Sequence, residues 1–297
     1  MSYLQRKVLR KLVDYPQLLA LGAFAGFTIY LGLPLAAFQR VSSRMNGFLN
    51  SFAIGILIFL TVDVLSNAWR AATEAAVNAF SGKAPVGDAM LDLFAMFGGI
   101  AIGLLGLTWY GSHYMKDTFA RSAIPETRVT ILNSNQKQEL QLVQQTNAYR
   151  LSMMIAIGIG VHNFSEGLAI GESYASGAMG LAIILVVGFA AHNATEGFGI
   201  AAPLTGLSKR PSIRFLALAG LVGGGPTFIG TEIGSLWSST LAYIFFLAIA
   251  GGALVYVSTL MYNSGRRQVT NNILMIGFFV GMLAGFITDL LVSLGGA

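Results

Sequence analysis

The chain alternates between long apolar stretches and shorter polar connections. Eight stretches hold about twenty mostly apolar residues each, enough for a helix to cross about 30 Å of hydrocarbon. They cover residues 17–38, 46–68, 89–111, 151–174, 178–203, 215–236, 239–262 and 272–294. This pattern predicts an all-α integral membrane protein, with one polytopic membrane domain over residues 1–297 and eight transmembrane helices.

Three polar connections separate these stretches most clearly, at residues 69–88, 112–150 and 204–214. The longest, 112–150, contains the glutamine-rich run NSNQKQELQLVQQTN. Few apolar side chains mean little surface to bury, so this segment is predicted to be a flexible or partly helical linker.

Composition agrees with the pattern. Hydrophobic residues make up 55% of the chain and charged residues 10%, whereas a soluble domain carries about 25% charged residues. A basic pI near 9.5 is compatible with nucleic-acid binding, but every Lys and Arg lies outside a predicted span or at its edge. We therefore expect a lipid bilayer as the partner, and no nucleic acid. With no cysteine, any bound metal must take nitrogen or oxygen ligands, or a methionine thioether.

The positive charges predict an orientation. Twelve Lys and Arg residues lie in connections that follow odd-numbered spans, and two, Arg70 and Lys83, follow even-numbered spans. Because cytoplasmic loops carry the excess of positive charge, the 112–150 loop is predicted to be cytoplasmic and both termini extracytoplasmic. The membrane is expected to be the plasma (inner) membrane. Residues 1–15 are basic and depart from this rule, and they are predicted to form an interfacial amphipathic helix.

A repeated polar phrase interrupts two apolar stretches. HNFSEGLAIG begins at His162 in the fourth span and HNATEGFGIA begins at His192 in the fifth. On a helix, His and Glu four residues apart share a face, and the intervening Asn lies about 100° around from the His. The short connection makes the two spans antiparallel neighbours, so both phrases fall near half depth and can face each other.

Buried glutamates in hydrocarbon need a compensating charge. A single intramembrane His or Asn is most often an interhelical hydrogen-bonding residue. Here two copies bring two carboxylates, and no Lys or Arg lies in the core of any span. The positive charge must therefore come from protons or from a bound cation. Two imidazoles, two carboxylates and two amide oxygens suit a divalent ion such as Zn²⁺, Fe²⁺, Mn²⁺ or Co²⁺, and Cd²⁺ adventitiously. The predicted metal ligands are His162, Asn163, Glu166, His192, Asn193 and Glu196.

Five further acids fall in the outer third of the predicted membrane. Each is compatible with an ordinary interfacial position, yet together they predict an acidic entrance that concentrates cations above the central site. They are Asp63, Asp92, Glu172, Glu232 and Asp289.

The paired phrases, the eight spans and the long loop after the third span resemble the Zrt/Irt-like, or ZIP, family of divalent-metal transporters. The resemblance implies a three-two-three helix arrangement with inverted repeats and a homodimer. It also implies a transport site at the six predicted ligands, with spans one, four, five and six moving against the rest. The metal ion, with Zn²⁺ foremost, would be cargo moved towards the cytoplasm, and no resident cofactor is expected.

Three features depart from the family pattern. Ser165 and Thr195 stand where the family usually has Pro; Pro would free a backbone carbonyl for ligation, whereas Ser or Thr bends a helix only modestly. Gly225 stands where family members often have a Glu before Pro226. The long loop is usually His-rich in the family but has only His113 here, so we do not expect that loop to deliver metal. With two carboxylates to balance it, we expect one tightly bound metal, any second ion being displaced outwards towards Glu232.

Two other functions use the same residues: a membrane-embedded metalloenzyme and a proton-conducting protein. The zinc-protease phrase HExxH is absent, because Asn follows each His where a general-base Glu would stand. We therefore expect a transporter and not an enzyme.

Overall fold

The computed structural model describes residues 14–37, 42–114, 133–237, 239–266 and 269–294. Within these ranges the chain is helical and contains no strand. The eight α-helices are α1 Tyr15–Phe27, α2 Ser43–Phe80, α3 Val86–Tyr114, α4 Ser134–Ala175, α5 Met179–Ala201, α6 Ile213–Leu236, α7 Thr240–Gly265 and α8 Asn271–Leu294. Short 3-10 helices follow α1 at Thr28–Leu31 and Leu33–Ala37, and follow α5 at Ala202–Leu204.

Eight helical segments in the described ranges are long and apolar enough to cross a membrane. The prediction of an all-α integral membrane protein with eight spans is therefore confirmed. The basic residues of the predicted interfacial helix lie outside the described residues. The orientation of the termini, the choice of membrane and the homodimer stay predictions.

Two helices are longer than their apolar stretches. α2 continues to Phe80 through an alanine-rich segment, and alanine is the strongest helix former. α4 begins at Ser134, so residues 134–150 of the predicted loop are helical. Its start is fixed by a capping box in which Gln136 N donates to Asn133 Oδ1 at 2.9 Å and Asn133 N donates to Gln136 Oε1 at 3.1 Å. Local capping and helix propensity, rather than hydropathy, set these ends.

The helices pack in two sets. α1, α4, α5 and α6 contact one another, and α2, α3, α7 and α8 form the other set. Most contacts come in pairs: α4 packs on α6 as α5 packs on α1, α3 packs on α7 as α8 packs on α2, and α4 meets α7 as α5 meets α2. The three-two-three order with inverted repeats stays a prediction, and these paired contacts are compatible with it.

Glycines allow the backbones of α4 and α6 to touch. A Cβ at Gly167 would collide with the carbonyl oxygen of Thr227, and a Cβ at Gly230 would collide with that of Phe164. Small residues permit this close approach between membrane helices, where packing rather than the hydrophobic effect drives association. The result is that α4, which carries the first polar phrase, is held directly against the backbone of α6.

Candidate metal centre

α4 and α5 bring the two polar phrases face to face. His162 Nε2 lies 3.2 Å from Glu166 Oε1 and 4.0 Å from Glu196 Oε1. His192 Nε2 lies 3.6 Å from the same Glu196 oxygen. One donor atom each from His162, Glu166 and His192 lies within 4.8 Å of the others. The antiparallel pairing predicted from the short connection, which turns at Gly177 with φ +83°, produces this convergence.

The cluster is removed from solvent. His162 is 4% exposed, Glu166 and His192 are 6% exposed, and Glu196 is 0% exposed. Among the described residues, no Lys or Arg pairs with either carboxylate. An uncompensated buried carboxylate is strongly unfavourable, so the cluster needs cationic charge from a proton or a metal ion.

Several buried polar atoms in the cluster make no hydrogen bond within the described part of the chain. They are Glu166 Oε2, Glu196 Oε1, Asn163 Oδ1 and Asn193 Oδ1 among the oxygens, and His162 Nδ1, His162 Nε2 and His192 Nε2 among the nitrogens. Buried polar atoms are normally satisfied. Imidazole nitrogens together with carboxylate and amide oxygens are the donor set of a borderline divalent cation, and this chemistry fits the orphaned atoms.

Each asparagine uses its amide nitrogen within the protein. Asn163 Nδ2 donates to Glu196 Oε2 and to the carbonyl oxygen of Gly223, both at 3.0 Å. Asn193 Nδ2 donates to the carbonyl oxygen of Ala25 at 2.9 Å. Gly223 and Ala25 could not be predicted from the sequence, because any residue type can supply a backbone acceptor.

Both helices pass through the positions where the family usually has proline. α4 is continuous through Ser165, and α5 is continuous through Thr195. The Thr195 hydroxyl donates to the carbonyl oxygen of His192 at 2.7 Å, a local bond that serine and threonine commonly make in helices. Unbroken helices keep their carbonyls in the helical ladder, so the side chains are the available ligands.

The wall of the site contains an aromatic residue that the sequence did not single out. Phe59 on α2 is 4% exposed, and its ring centroid lies 6.3 Å from that of His192 and 4.8 Å from that of Phe286 on α8. A phenylalanine in a transmembrane stretch is ordinary, and only the fold places this one beside an imidazole.

Two of the five predicted entrance acids lie near each other. Asp63, one turn beyond Phe59 on α2, interacts electrostatically with His162 and with Asp289. Its carboxylate accepts a hydrogen bond from Asn67 Nδ2 at 3.0 Å, and Asn67 in turn accepts one from Arg70 at 2.5 Å. A polar ladder on α2 therefore leads from an exposed arginine towards the cluster.

The other three predicted entrance acids lie on different helices, with different surroundings. Asp92 is buried on α3, where it interacts electrostatically with Asp88 of the same helix. Glu172 is exposed near the end of α4. Glu232 on α6 is partly buried, and its Oε1 makes no hydrogen bond among the described residues. None of the contacts described here joins these three acids to Asp63 and Asp289, and their role as an entrance stays a prediction.

The contact between α6 and the site is made by Gly223 and not by Gly225. Gly225 is four residues from both Leu221 and Ile229, which are 52% and 53% exposed, and residues four apart share a helix face. A Cβ at Gly225 would meet only the side chain of Leu221 on its own helix, at 3.2 Å. Gly225 itself is buried, and the expectation that a carboxylate at this position would complete a second central site stays a prediction.

Large apolar side chains close one side of the cluster. They precede the site on α2 and α4 and follow it on α5 and on the 3-10 helix after α5, and all are nearly inaccessible: Ile54, Leu57, Ile155, Ile159, Ile200 and Leu204. This is the side that the charge pattern predicts to be cytoplasmic. Asp63 lies on the opposite side of Phe59 from Ile54 and Leu57, and its role with Asp289 as an entrance stays a prediction.

Comparison with known proteins agrees with this geometry. A family model described as ZIP Zinc transporter matches residues 117–292, which include both polar phrases. Zinc transporter ZIP10 from mouse and from human is 26% identical over 163 residues, covering 51% of this chain and 19% of each relative. The rat metal cation symporter ZIP8 is 29% identical over 154 residues, covering 48% of this chain and 32% of the relative. The match thus spans a third or less of these relatives. The chain belongs to the ZIP family of zinc transporters.

Proposed function

We propose that this protein carries divalent metal cations across the membrane through the buried cluster on α4 and α5, with Zn²⁺ as the principal cargo. The observation that supports this most is the convergence of His162, Glu166 and His192, whose donor atoms lie within 4.8 Å of one another in a buried site. The family and the names of the relatives, zinc transporter and metal cation symporter, favour the same cargo.

The cluster suits a passing ion. Glu166 and Glu196 together carry two negative charges, which balance one dication. An ion at the centre of three donors 4.8 Å apart would lie at most about 2.8 Å from each, against about 2.1 Å for bound zinc. Closing on the ion therefore needs a shift of less than about 1 Å at each donor, and no thiolate is present to hold it permanently. Fe²⁺, Mn²⁺, Co²⁺ and Cd²⁺ share enough of this chemistry to compete.

The direction we propose is import. Asp63 and Asp289 draw cations from the outer side. The six large apolar side chains on the other side of the cluster, among them Ile54 and Leu204, must separate before the ion leaves towards the cytoplasm. The protein acts as a transporter in the plasma membrane, as a homodimer with both termini outside, and not as an enzyme. Asn163 follows His162 and Asn193 follows His192, at the position where a zinc metalloprotease would have its general-base Glu.

Uptake into sealed proteoliposomes tests this proposal. Purified protein is compared with the double variant His162→Ala, His192→Ala and with Glu74→Gln, which changes an exposed acid on α2. Accumulation of ⁶⁵Zn that is lost in the double variant and kept in the control supports transport. Competition with unlabelled Fe²⁺, Mn²⁺, Co²⁺ and Cd²⁺ ranks the cargoes.

Two outcomes would overturn the proposal. A pH-sensitive dye inside vesicles that responds without metal, together with no zinc accumulation, would make the protein a proton conductor. Zinc bound by the purified protein in stoichiometric amount but never delivered to the vesicle interior would favour a resident metal and hence an enzyme.

A further inference from the structure

The two asparagine amides have an unambiguous orientation. Asn163 Nδ2 faces a carboxylate oxygen of Glu196 and the carbonyl oxygen of Gly223, each at 3.0 Å. Both neighbours are acceptors, so only the amide nitrogen, with its two hydrogens, can satisfy them. The nitrogen of Asn163 is fully used, and the residue itself is 0% exposed.

The asparagines of the two polar phrases bond the two helices, α6 and α1, that cross each other next to the site. Asn163 on α4 bonds the carbonyl of Gly223 on α6, and Asn193 on α5 bonds the carbonyl of Ala25 on α1. The next residues along those helices, Gly224 and Gly26, lie against each other, since a Cβ on either would collide with the carbonyl oxygen of the other. The two bonds are thus equivalent under exchange of α4 with α5 and of α6 with α1.

The backbone is irregular just beyond both carbonyls. α1 gives way to a 3-10 helix at Thr28, and α6 contains Pro226, which has no N–H to donate. Such interruptions weaken the regular helical bonding nearby. Pro226 removes the helical partner of the Val222 carbonyl, one residue before Gly223, and the Ala25 carbonyl also accepts from the Thr28 hydroxyl at 2.7 Å.

One difference breaks the equivalence. Asn163 also bonds Glu196 Oε2, whereas the described bond of Asn193 reaches only the backbone. Because Oε2 is held by the amide, the other oxygen of Glu196, Oε1, is the one that lies 3.6 Å from His192 Nε2 and 4.0 Å from His162 Nε2. Glu166 has no amide partner among the described residues: its Oε1 lies 3.2 Å from His162 Nε2, and its Oε2 makes no hydrogen bond there.

We propose that Asn163 is a positioning residue that acts on the metal through Glu196. By holding Oε2, it presents Oε1 alone to the ion, and it fixes that oxygen relative to the α1–α6 crossing. The proposal rests on the function proposed above and deepens it. The two carboxylates then differ: Glu196 is a fixed ligand through one oxygen, and Glu166 is the adaptable one.

A residue that orients a ligand has an effect of known size. Removing such a partner typically lowers metal affinity by about 10- to 100-fold. Asn163→Ala should therefore raise the dissociation constant for Zn²⁺ by that factor. Asn163→Asp separates positioning from direct ligation, because a carboxylate improves a ligand but repels the Glu196 oxygen 3.0 Å away. The aspartate variant should bind zinc more weakly than wild type.

The experiment is a calorimetric titration of the purified full chain with Zn²⁺ alone, with the thermal midpoint measured without metal. Ser152→Ala is the matched control, because Ser152 is also fully buried on α4 and donates to a backbone carbonyl on α5, that of Ile200, at 2.8 Å. It should lower the midpoint as Asn163→Ala does, with less than about threefold loss of affinity. A double-mutant cycle with Glu196→Asp completes the test, since the shortened carboxylate no longer reaches the amide.

The outcomes separate the two proposals. Wild-type protein that binds no zinc contradicts the proposed function, whatever the variants do. If wild type binds, strong non-additivity between Asn163→Ala and Glu196→Asp supports positioning. Additive losses in that cycle, tighter binding by Asn163→Asp, or a change of less than threefold in Asn163→Ala would each overturn the positioning role and leave the metal site standing.

Discussion

Replacing Glu166 by Gln should remove most of the metal affinity while leaving the fold in place. Gln keeps the shape of the side chain and removes its charge. A unit charge about 4 Å from another contributes about 4 kcal/mol at an effective dielectric constant near 20. Glu166 Oε1 is 3.2 Å from His162 Nε2, so one ion can be ligated by both atoms. Because the ion carries two charges, this energy is a lower figure, and since 1.4 kcal/mol is a factor of ten, the zinc dissociation constant should rise by at least about a thousandfold.

Calorimetric titration with Zn²⁺ measures this change directly, and ⁶⁵Zn uptake into proteoliposomes should be lost in parallel. Glu74→Gln makes the same substitution at an exposed position and should bind and transport as wild type does. The thermal midpoint of Glu166→Gln should not fall, because the substitution removes a buried charge. Uptake at the wild-type rate, or a loss of affinity below tenfold, would refute the view that this carboxylate balances the charge of the ion.

Three further results are expected. His162→Ala and His192→Ala should each weaken zinc binding. The zinc affinity of wild type should fall as the pH falls, because protons compete with metal for imidazole nitrogen, and this fall should be smaller in the double variant. An unchanged pH dependence of the zinc affinity would contradict this. The double variant Asp63→Asn, Asp289→Asn should raise the apparent KM for uptake. It should also make this KM depend less on ionic strength, because salt screens the attraction of exposed charges beyond about 8 Å. A change in the maximal rate alone would contradict this. Gly230→Ala should destabilise the fold by about 1–3 kcal/mol through overpacking, measured as a lower thermal midpoint.

The glycine prediction has a control in the same protein. Gly98 on α3 has no atom within 4 Å of an added Cβ. Gly98→Ala should be neutral or slightly stabilising, since alanine is favoured over glycine in a helix by about 1 kcal/mol. Equal midpoints for the two variants would show that the α4–α6 contact does not depend on the missing side chain.

Much of the site was predictable because its chemistry is concentrated in residue types that lipid excludes. Two histidines and two glutamates at equal spacing, in spans joined by a short turn, can meet in few ways. The structure confirms that His162, Glu166, His192 and Glu196 converge. The eight spans were predictable for a related reason, because hydropathy measures transfer to hydrocarbon directly.

What the sequence did not reveal depends on the backbone and on tertiary packing. The acceptors of the asparagine amides are carbonyls of Ala25 and Gly223, and any residue type carries a carbonyl. Phe59 is an ordinary apolar residue until α5 is placed beside it. The register of α6 also needed the fold, because residue types alone do not show that Gly223, and not Gly225, accepts from Asn163.

The length of α4 has a mechanical consequence. From Ser134 to His162 the helix is unbroken, and at about 1.5 Å per residue its amino end stands roughly 42 Å from the metal ligand. A rigid rod of that length magnifies small rotations, so a tilt of about 10° at the ligand would sweep the far end through about 7 Å. A displacement of this size is within reach of distance measurements between spin labels. Spin labels at the amino end of α4 would therefore report movements of the helix at a metal site that is itself buried.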